Sequence, residues 1–320
     1  MKIAMLYASW EGEGWSTPIG IHKEFESRGI EVRRYNLYHN DGELLPRKKV
    51  RTYSADGLNK LNHDIRVSGF SPDIVFVMDY TGFDAPHMGK HNFPGLWLME
   101  AGDEPQTHRM QAARANKFHG ILSPDFECTE AYHAAGMDAI WWTHHADLNI
   151  FHTSYDIKPI FDCVTTCGSR GRTLVEGKSL TDLISDDLGN RFNNDRYFFG
   201  EDHAKRLSMG KIVFQCSQYG EITRRIFEGM ACGRMVLADR LPARTNVDAL
   251  FEEDVDLVYY SDAQEAIEKI EYYSKNDEER EAIAQNGSRK VQEMHSQKSR
   301  VDQLLNFARE IAPKHGIALS

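Results

Sequence analysis

Residues 219–239 constrain this chain most. From Thr223 to Ala231 the apolar residues Phe227, Met230 and Ala231 recur at three- and four-residue spacing, the mark of a helix with one buried face. A turn at Cys232-Gly233 leads into the short apolar run Met235 to Ala238. An amphipathic helix feeding a short, wholly apolar strand is one half of a parallel α/β repeat. The polar residues of this helix carry a second message. Arg225 and Glu228 sit three apart and are helical neighbours. Such a pair suits a ligand bearing both a phosphate and a sugar diol, and an ordinary surface ion pair fits the same spacing.

The rest of the chain repeats the alternation. Strands are predicted at Lys2–Tyr7, Ile30–Tyr35, Asp73–Met78, Pro94–Met99, His119–Ser123 and Ala139–Trp142. Helices are predicted between them, at about Pro18–Arg28, Gly57–Ser68, Gln106–Asn116 and Glu127–Ala135. After a polar linker at Tyr155–Ile160, strands are predicted at Phe161–Cys167, Arg196–Phe199, Lys211–Cys216 and Val255–Tyr260. Helices then cover part of Leu174–Leu188, and Ala263–Tyr273, Asp277–Gln285 and Val291–Ala308. The expected domains are 1–154, 161–295 and a final helical segment, 296–320. The opening β-loop-α-β is Rossmann-like but lacks G-x-G-x-x-G, so nothing there points to a dinucleotide.

Ligands of open parallel sheets sit beyond the carboxyl ends of the strands. Three acids occupy such places: Glu13 in the glycine-rich loop after the first strand, Asp79, and Asp103. Asp103 also suits a helix N-cap, with Pro105 in the first turn. In the second half, Gly168-Ser169-Arg170-Gly171-Arg172 follows a strand. A glycine turn with arginines can cradle phosphate; a plain basic turn is the alternative. His144, His145 and Asp147 invite a metal, but adjacent residues of an extended segment point to opposite faces. No metal ligand set is expected.

The stretch Arg225-Ile226-Phe227-Glu228-Gly229-Met230-Ala231-Cys232-Gly233 resembles the donor-nucleotide motif R-x-F-E-A-x-A-C-G of GT-B glycosyltransferases, nearest the CgeB/YkvP-like group. The resemblance implies that Glu228 holds the ribose hydroxyls of a nucleotide sugar. It further implies that Gly168, Ser169, Arg170, Arg172 and Arg225 meet the donor. Asp103-Glu104-Pro105 resembles the group's Asp-x-Pro loop. Asp147 and Phe151 match the end of the stretch that closes the first domain. His295 and Arg300, ahead of a leucine-rich end, resemble the helix that crosses back onto the first domain. Many related retaining enzymes carry a second glutamate eight residues before the first; that position is Gly220 here, and the nearest acid is Glu221. The implied fold is α/β, GT-B, with two Rossmann-like domains facing across a cleft.

Composition narrows the partners. The 320 residues carry a net charge of -10, with 41% apolar and 27% charged residues. That balance disfavours broad nucleic-acid binding, although Arg47-Lys48-Lys49 offers a local basic edge. No apolar run approaches membrane-helix length, and Met1 to Tyr7 reads as a strand rather than a leader. Five scattered cysteines (Cys128, Cys163, Cys167, Cys216, Cys232) fit reduced thiols and a cytoplasmic setting, the host's if the chain is viral.

The expected reaction is sugar transfer from a nucleoside-diphosphate sugar, a UDP-sugar foremost, to an unidentified acceptor. The donor is a co-substrate, and no other cofactor is expected. Arginines rather than metal would stabilise the departing diphosphate. Asp103, Glu13 and Asp79 are the ordered candidates for the acceptor's base. Three rival readings stand beside it: glycosylation of a hydroxymethylated DNA base, a non-catalytic sugar- or nucleotide-binding module, and a non-enzymatic structural protein.

Overall fold

The computed structural model describes residues 1–7, 17–36, 56–78, 89–166, 174–175, 178–195 and 198–319. The chain divides into two compact units, Met1–Thr143 with Arg300–Ser320, and His144–Ser299.

The first unit carries β1 (Lys2–Tyr7), α1 (Thr17–Ser27), β2 (Glu31–Asn36), α2 (Asp56–Val67), β3 (Ile74–Val77), β4 (Leu96–Glu100), α3 (His108–Ala115), β5 (Gly120–Ser123), α4 (Phe126–Ala134) and β6 (Ala139–Trp141). The strands are parallel and lie in the order β2-β1-β3-β4-β5-β6. β1, β3 and β4 are apolar on both faces and buried throughout except at their outer ends. Doubly covered parallel strands require such runs.

The second unit carries β7 (Phe161–Val164), the small hairpin β8 (Leu174–Val175) and β9 (Lys178–Ser179), α5 (Leu180–Leu188), β10 (Phe192–Asn193), α6 (Gly200–Ser208), β11 (Gly210–Gln215), α7 (Arg224–Ala231), β12 (Met235–Asp239), β13 (Val258–Tyr260), α8 (Ala263–Lys275) and α9 (Asp277–Met294). Its parallel sheet runs β10-β7-β11-β12-β13. Both sheets thus reverse direction after their first strand, at β1/β3 and at β7/β11. A crevice opens at such switch points, outside the carboxyl ends of the strands.

The last helix, α10 (Gln297–Ile311), belongs to the first unit from Arg300 onward. Val301, Leu304, Leu305, Phe307, Ala308 and Ile311 are buried in one cluster with Ile3, Met5, Phe76 and Leu98. Each large side chain there contributes about 1.5–3 kcal/mol through burial. The returning helix expected from the sequence is therefore present. Arg300, only 2% exposed, donates from Nε to Thr143 O at 2.7 Å and accepts Trp142 Nε1 on its carbonyl at 3.0 Å.

Several boundaries differ from expectation. The edge strand of the second sheet is Phe192–Asn193; the strand expected at Arg196–Phe199 begins outside the described residues, and α3 starts at His108 rather than Gln106. α6 falls in a stretch where no helix is predicted. α9 runs on through Asn286-Gly287, which resembles a helix stop, because Gly287 answers a packing need. A Cβ there would lie 2.5 Å from Asp256 O and 3.2 Å from Met230 Cγ. The break falls at His295-Ser296, where Ser296 Oγ accepts from Ser299 N at 3.3 Å and starts α10.

Candidate functional site

In the second unit, α7 is held against the sheet by buried Ile226, Phe227, Met230 and Ala231. It ends on Gly233, whose φ of 70° is left-handed and whose Cβ would lie 2.8 Å from Thr153 Cγ2. Its N-terminus points at the carboxyl edge of the sheet, next to the β7/β11 switch point. Thr223 is the N-cap residue, extended at φ -109° and ψ 156°, and its side chain caps nothing. Thr223 is 8% exposed, and its Oγ1 is buried without a hydrogen-bond partner. A buried hydroxyl left unsatisfied is costly, and the first-turn N–H groups beside it are unpaired by helix geometry. Together they form a donor set for an anion.

Arg225 and Glu228 do not form the surface ion pair their spacing allows. Arg225 Nε donates to Thr166 Oγ1, just past β7, at 3.1 Å. Thr166 Oγ1 lies 3.1 Å from His203 Nε2 on α6, and His203 Nδ1 lies 4.0 Å from Glu228 Oε2. Because Arg225 donates to the threonine, the threonine's own proton is free to point at Nε2. The ring's remaining proton then sits on Nδ1, facing Glu228. Burial pushes the His203 pKa down; Glu228 opposes this, and Arg225 and Arg224 add to it. The chain Arg225–Thr166–His203–Glu228 therefore carries a cation at one end and a carboxylate at the other, with a neutral ring between. Phe151 packs edge-on against His203 with centroids 5.5 Å apart. Phe151 is in turn set by the turn at Asp147, whose carbonyl accepts from Phe151 N at 2.8 Å.

The neighbouring loop is internally tied. Ser217 N donates to Asp239 Oδ1 at 2.9 Å, and Ser217 Oγ donates to Asp239 Oδ2. Glu221 accepts from Gln218 N at 3.1 Å and Tyr219 N at 2.5 Å. Its carboxylate is thus occupied in its own turn. Gly168, Ser169, Arg170 and Arg172 lie outside the described residues, as does Cys167. Cys128, Cys163, Cys216 and Cys232 are free thiols.

In the first unit Glu13 and Asp79, which follow the two switch-point strands, also lie outside the described residues, as does Arg47-Lys48-Lys49. Asp103 is described. It is exposed, with a left-handed φ of 57°. It is not a helix N-cap: the N-cap of α3 is Thr107. Asp103 only accepts Thr107 N on its carbonyl, at 3.1 Å.

The next residue, Glu104, to which the resemblance to an Asp-x-Pro loop gives no role, anchors this turn. Its side chain is 0% exposed. Tyr132 OH donates to Oε1 at 2.6 Å, His108 Nδ1 lies 2.8 Å from the same oxygen, and Ser123 Oγ is bonded to Oε2. Burial pushes the Glu104 pKa up, against the pull of Ser123, Tyr132 and His108. The available signal was the four-residue spacing of Glu104 and His108. Glu104, His108 and Cys128 also place three ligand-type atoms within 4.8 Å of one another, a grouping that could hold a metal ion. Both Glu104 oxygens are engaged by hydroxyl and imidazole groups, so a metal would have to displace those donors. Burial, with Glu104 and Asp125 nearby, pushes the Cys128 thiol far up, away from the thiolate that metals bind.

Among the described residues, no helix is long and apolar enough to cross a membrane. A family model described as glycosyl transferase-like matches residues 175–306. No curated protein matches the sequence. Solved structures do match over nearly the whole length. Sucrose-phosphate synthase from Thermosynechococcus elongatus has a TM-score of 0.66 at 12% identity, covering 98% of this chain and 99% of that one. A glycosyltransferase from Rickettsia africae has a TM-score of 0.65 at 13% identity, covering 97% and 98%. Anabaena HepE in complex with UDP and glucose has a TM-score of 0.61 at 15% identity, covering 97% and 100%. Two Rossmann-like units, both strand orders and the returning C-terminal helix make this a GT-B fold.

Proposed function

We propose that this protein is a glycosyltransferase that moves a sugar from a nucleoside-diphosphate sugar to an acceptor, and that it stands closest to the CgeB/YkvP-like group. The observation that carries the reading is the buried, partnerless Thr223 Oγ1 at the N-terminus of α7, flanked by Arg225 and Glu228. A diphosphate supplies the acceptor oxygens that the hydroxyl and the first-turn N–H groups lack. Its charge grows as the anomeric C–O bond breaks, and Arg225 is placed to answer that growth without metal. Glu228 keeps 12% of its side chain exposed, which suits a carboxylate that accepts from ribose hydroxyls. Arg170 and Arg172, with Gly168 and Ser169, are proposed to complete the phosphate contacts. HepE is described with UDP, and with UDP-glucose; a UDP-sugar is accordingly the first donor to offer here.

Residues 161–295 are the proposed donor domain and 1–154 the proposed acceptor domain, with Asp103, Glu13 and Asp79 as its carboxylates. Isothermal titration with UDP, GDP, UDP-glucose and GDP-mannose tests the reading. We expect one diphosphate to bind and Thr223→Val together with Arg225→Ala to abolish binding. A parent that binds none of the four, or a double variant that binds as the parent does, breaks it.

A further inference from the structure

We propose that His108 is the base that takes the acceptor hydroxyl proton, with Glu104 as the residue that positions it; this rests on the glycosyltransferase reading above. β4 ends at Glu100 and α3 begins at His108. His108 therefore sits at the carboxyl edge of the first sheet, one strand from the β1/β3 switch point. Its Nδ1 lies 2.8 Å from the enclosed Glu104 carboxylate. That bond assigns the ring proton to Nδ1 and leaves a lone pair on Nε2. Among the described residues Nε2 has no hydrogen-bond partner, and the side chain is 29% exposed. Tyr132 meets the ring edge-on with centroids 5.0 Å apart, while its hydroxyl and Ser123 hold the far side of Glu104. A histidine oriented by a buried carboxylate, with its other nitrogen open, is the geometry of a general base.

Asp103 compares poorly. Its carboxylate is exposed, and no hydrogen bond orients it. In the step, the acceptor O–H gives its proton to Nε2 as its oxygen bonds to the anomeric carbon. The bond from that carbon to the diphosphate oxygen breaks, and its electron pair leaves with the nucleoside diphosphate. Glu104 balances the imidazolium charge until the proton passes to water.

Two readouts test this on the full chain. The first is NMR of the protein labelled with ¹⁵N-histidine, in EDTA and then with one equivalent of Zn²⁺. We expect His108 protonated on Nδ1 and bare on Nε2, unchanged by zinc, and expect the Nδ1–H preference to weaken in Glu104→Gln. An Nε2–H tautomer, or zinc bound at Nδ1, overturns the proposal. The second is UDP release from UDP-glucose, with water as acceptor. His108→Gln keeps an amide donor for Glu104, so the fold is spared. We expect turnover to fall about 10²–10⁴-fold with UDP affinity unchanged. Parent-like turnover in His108→Gln overturns it. A parent that binds no nucleoside diphosphate is the separate signature of the glycosyltransferase reading failing, and it removes His108's substrate as well.

Discussion

Glu228 in the second unit retains some exposure and has one neutral histidine 4.0 Å away, whereas Glu104 in the first is fully enclosed and bonded to three side chains. Both stand near the carboxyl edge of a parallel sheet. The difference is in where unsatisfied bonding capacity is left. At Glu228 the carboxylate, the cation Arg225 and the hydroxyl of Thr223 all keep capacity for a ligand. At Glu104 the carboxylate is spent inside the protein, and the open valence is exported to His108 Nε2. The second unit is built to bind, and the first to hold one side chain in one orientation.

Removing each carboxylate should separate these designs. Glu104→Ala leaves the Tyr132 hydroxyl and Ser123 without their shared acceptor. We expect a loss of about 1–3 kcal/mol in stability, the cost of a buried donor left unsatisfied, read by urea denaturation, with UDP affinity of the folded fraction preserved. Glu228→Gln should do the reverse. Stability should hold, while donor affinity falls by about 1.5–3 kcal/mol, the range for a charged hydrogen bond, read by titration calorimetry. If Glu104→Ala is as stable as the parent, its network is ornamental. If Glu228→Gln unfolds the chain, the carboxylate is structural.

The two carboxylates were also unequally legible. Glu228 stands inside a run whose residues are each constrained, from Arg225 to Gly233, so the sequence displays it. Glu104 is defined by residues far along the chain: Ser123 at the end of β5 and Tyr132 on α4. Sequence order hides such a network, whereas Asp103 stands out as an acid just past a strand end, two residues before a proline. The alternating strands were readable because parallel strands buried on both faces must be wholly apolar. α6 was not, because Glu201, Asp202, His203 and Lys205 look like a solvated loop. Of its buried residues Ala204, Arg206, Leu207 and Ser208 only two are apolar, too few to display a hydrophobic period. His203 was missed with it.

Acid separates the units again through their histidines. Burial lowers the folded pKa of His203, and that of His119 in the first unit to about 4. The unfolded values lie near 6.5. Between the two, the unfolded chain binds more protons than the folded one, so stability rises with pH. It is therefore lost as the pH drops below about 6.5. His203→Gln should flatten this slope by at most about 1.4 kcal/mol per pH unit, the limit for one proton. The residual slope should belong in part to His119 and vanish further in the double variant. Urea titrations at half-unit steps from pH 7 to pH 4 would show it. An unchanged slope in His203→Gln means that the ring is not held neutral, and the assigned direction of the Thr166 hydroxyl is then wrong.

The smallest effect is the most discriminating. Thr223→Val is nearly isosteric and removes the one hydroxyl at the α7 N-terminus that lacks a partner. A structural threonine would cost stability when replaced. A hydroxyl waiting for a ligand should cost none, because the variant relieves an unsatisfied buried group. We therefore expect stability equal to the parent or slightly above it, and a loss in UDP affinity of about 0.5–1.5 kcal/mol, one neutral hydrogen bond. Uridine, which lacks phosphate, supplies the control. Its affinity should be indifferent to Thr223→Val and sensitive to Glu228→Gln, because the proposed donor reading gives the threonine the phosphates and the glutamate the ribose. A loss shared equally by UDP and uridine in Thr223→Val would place the hydroxyl outside the phosphate contact. The α7 N-terminus would then be a helix end short of a cap, and no longer the anion site on which the donor reading stands.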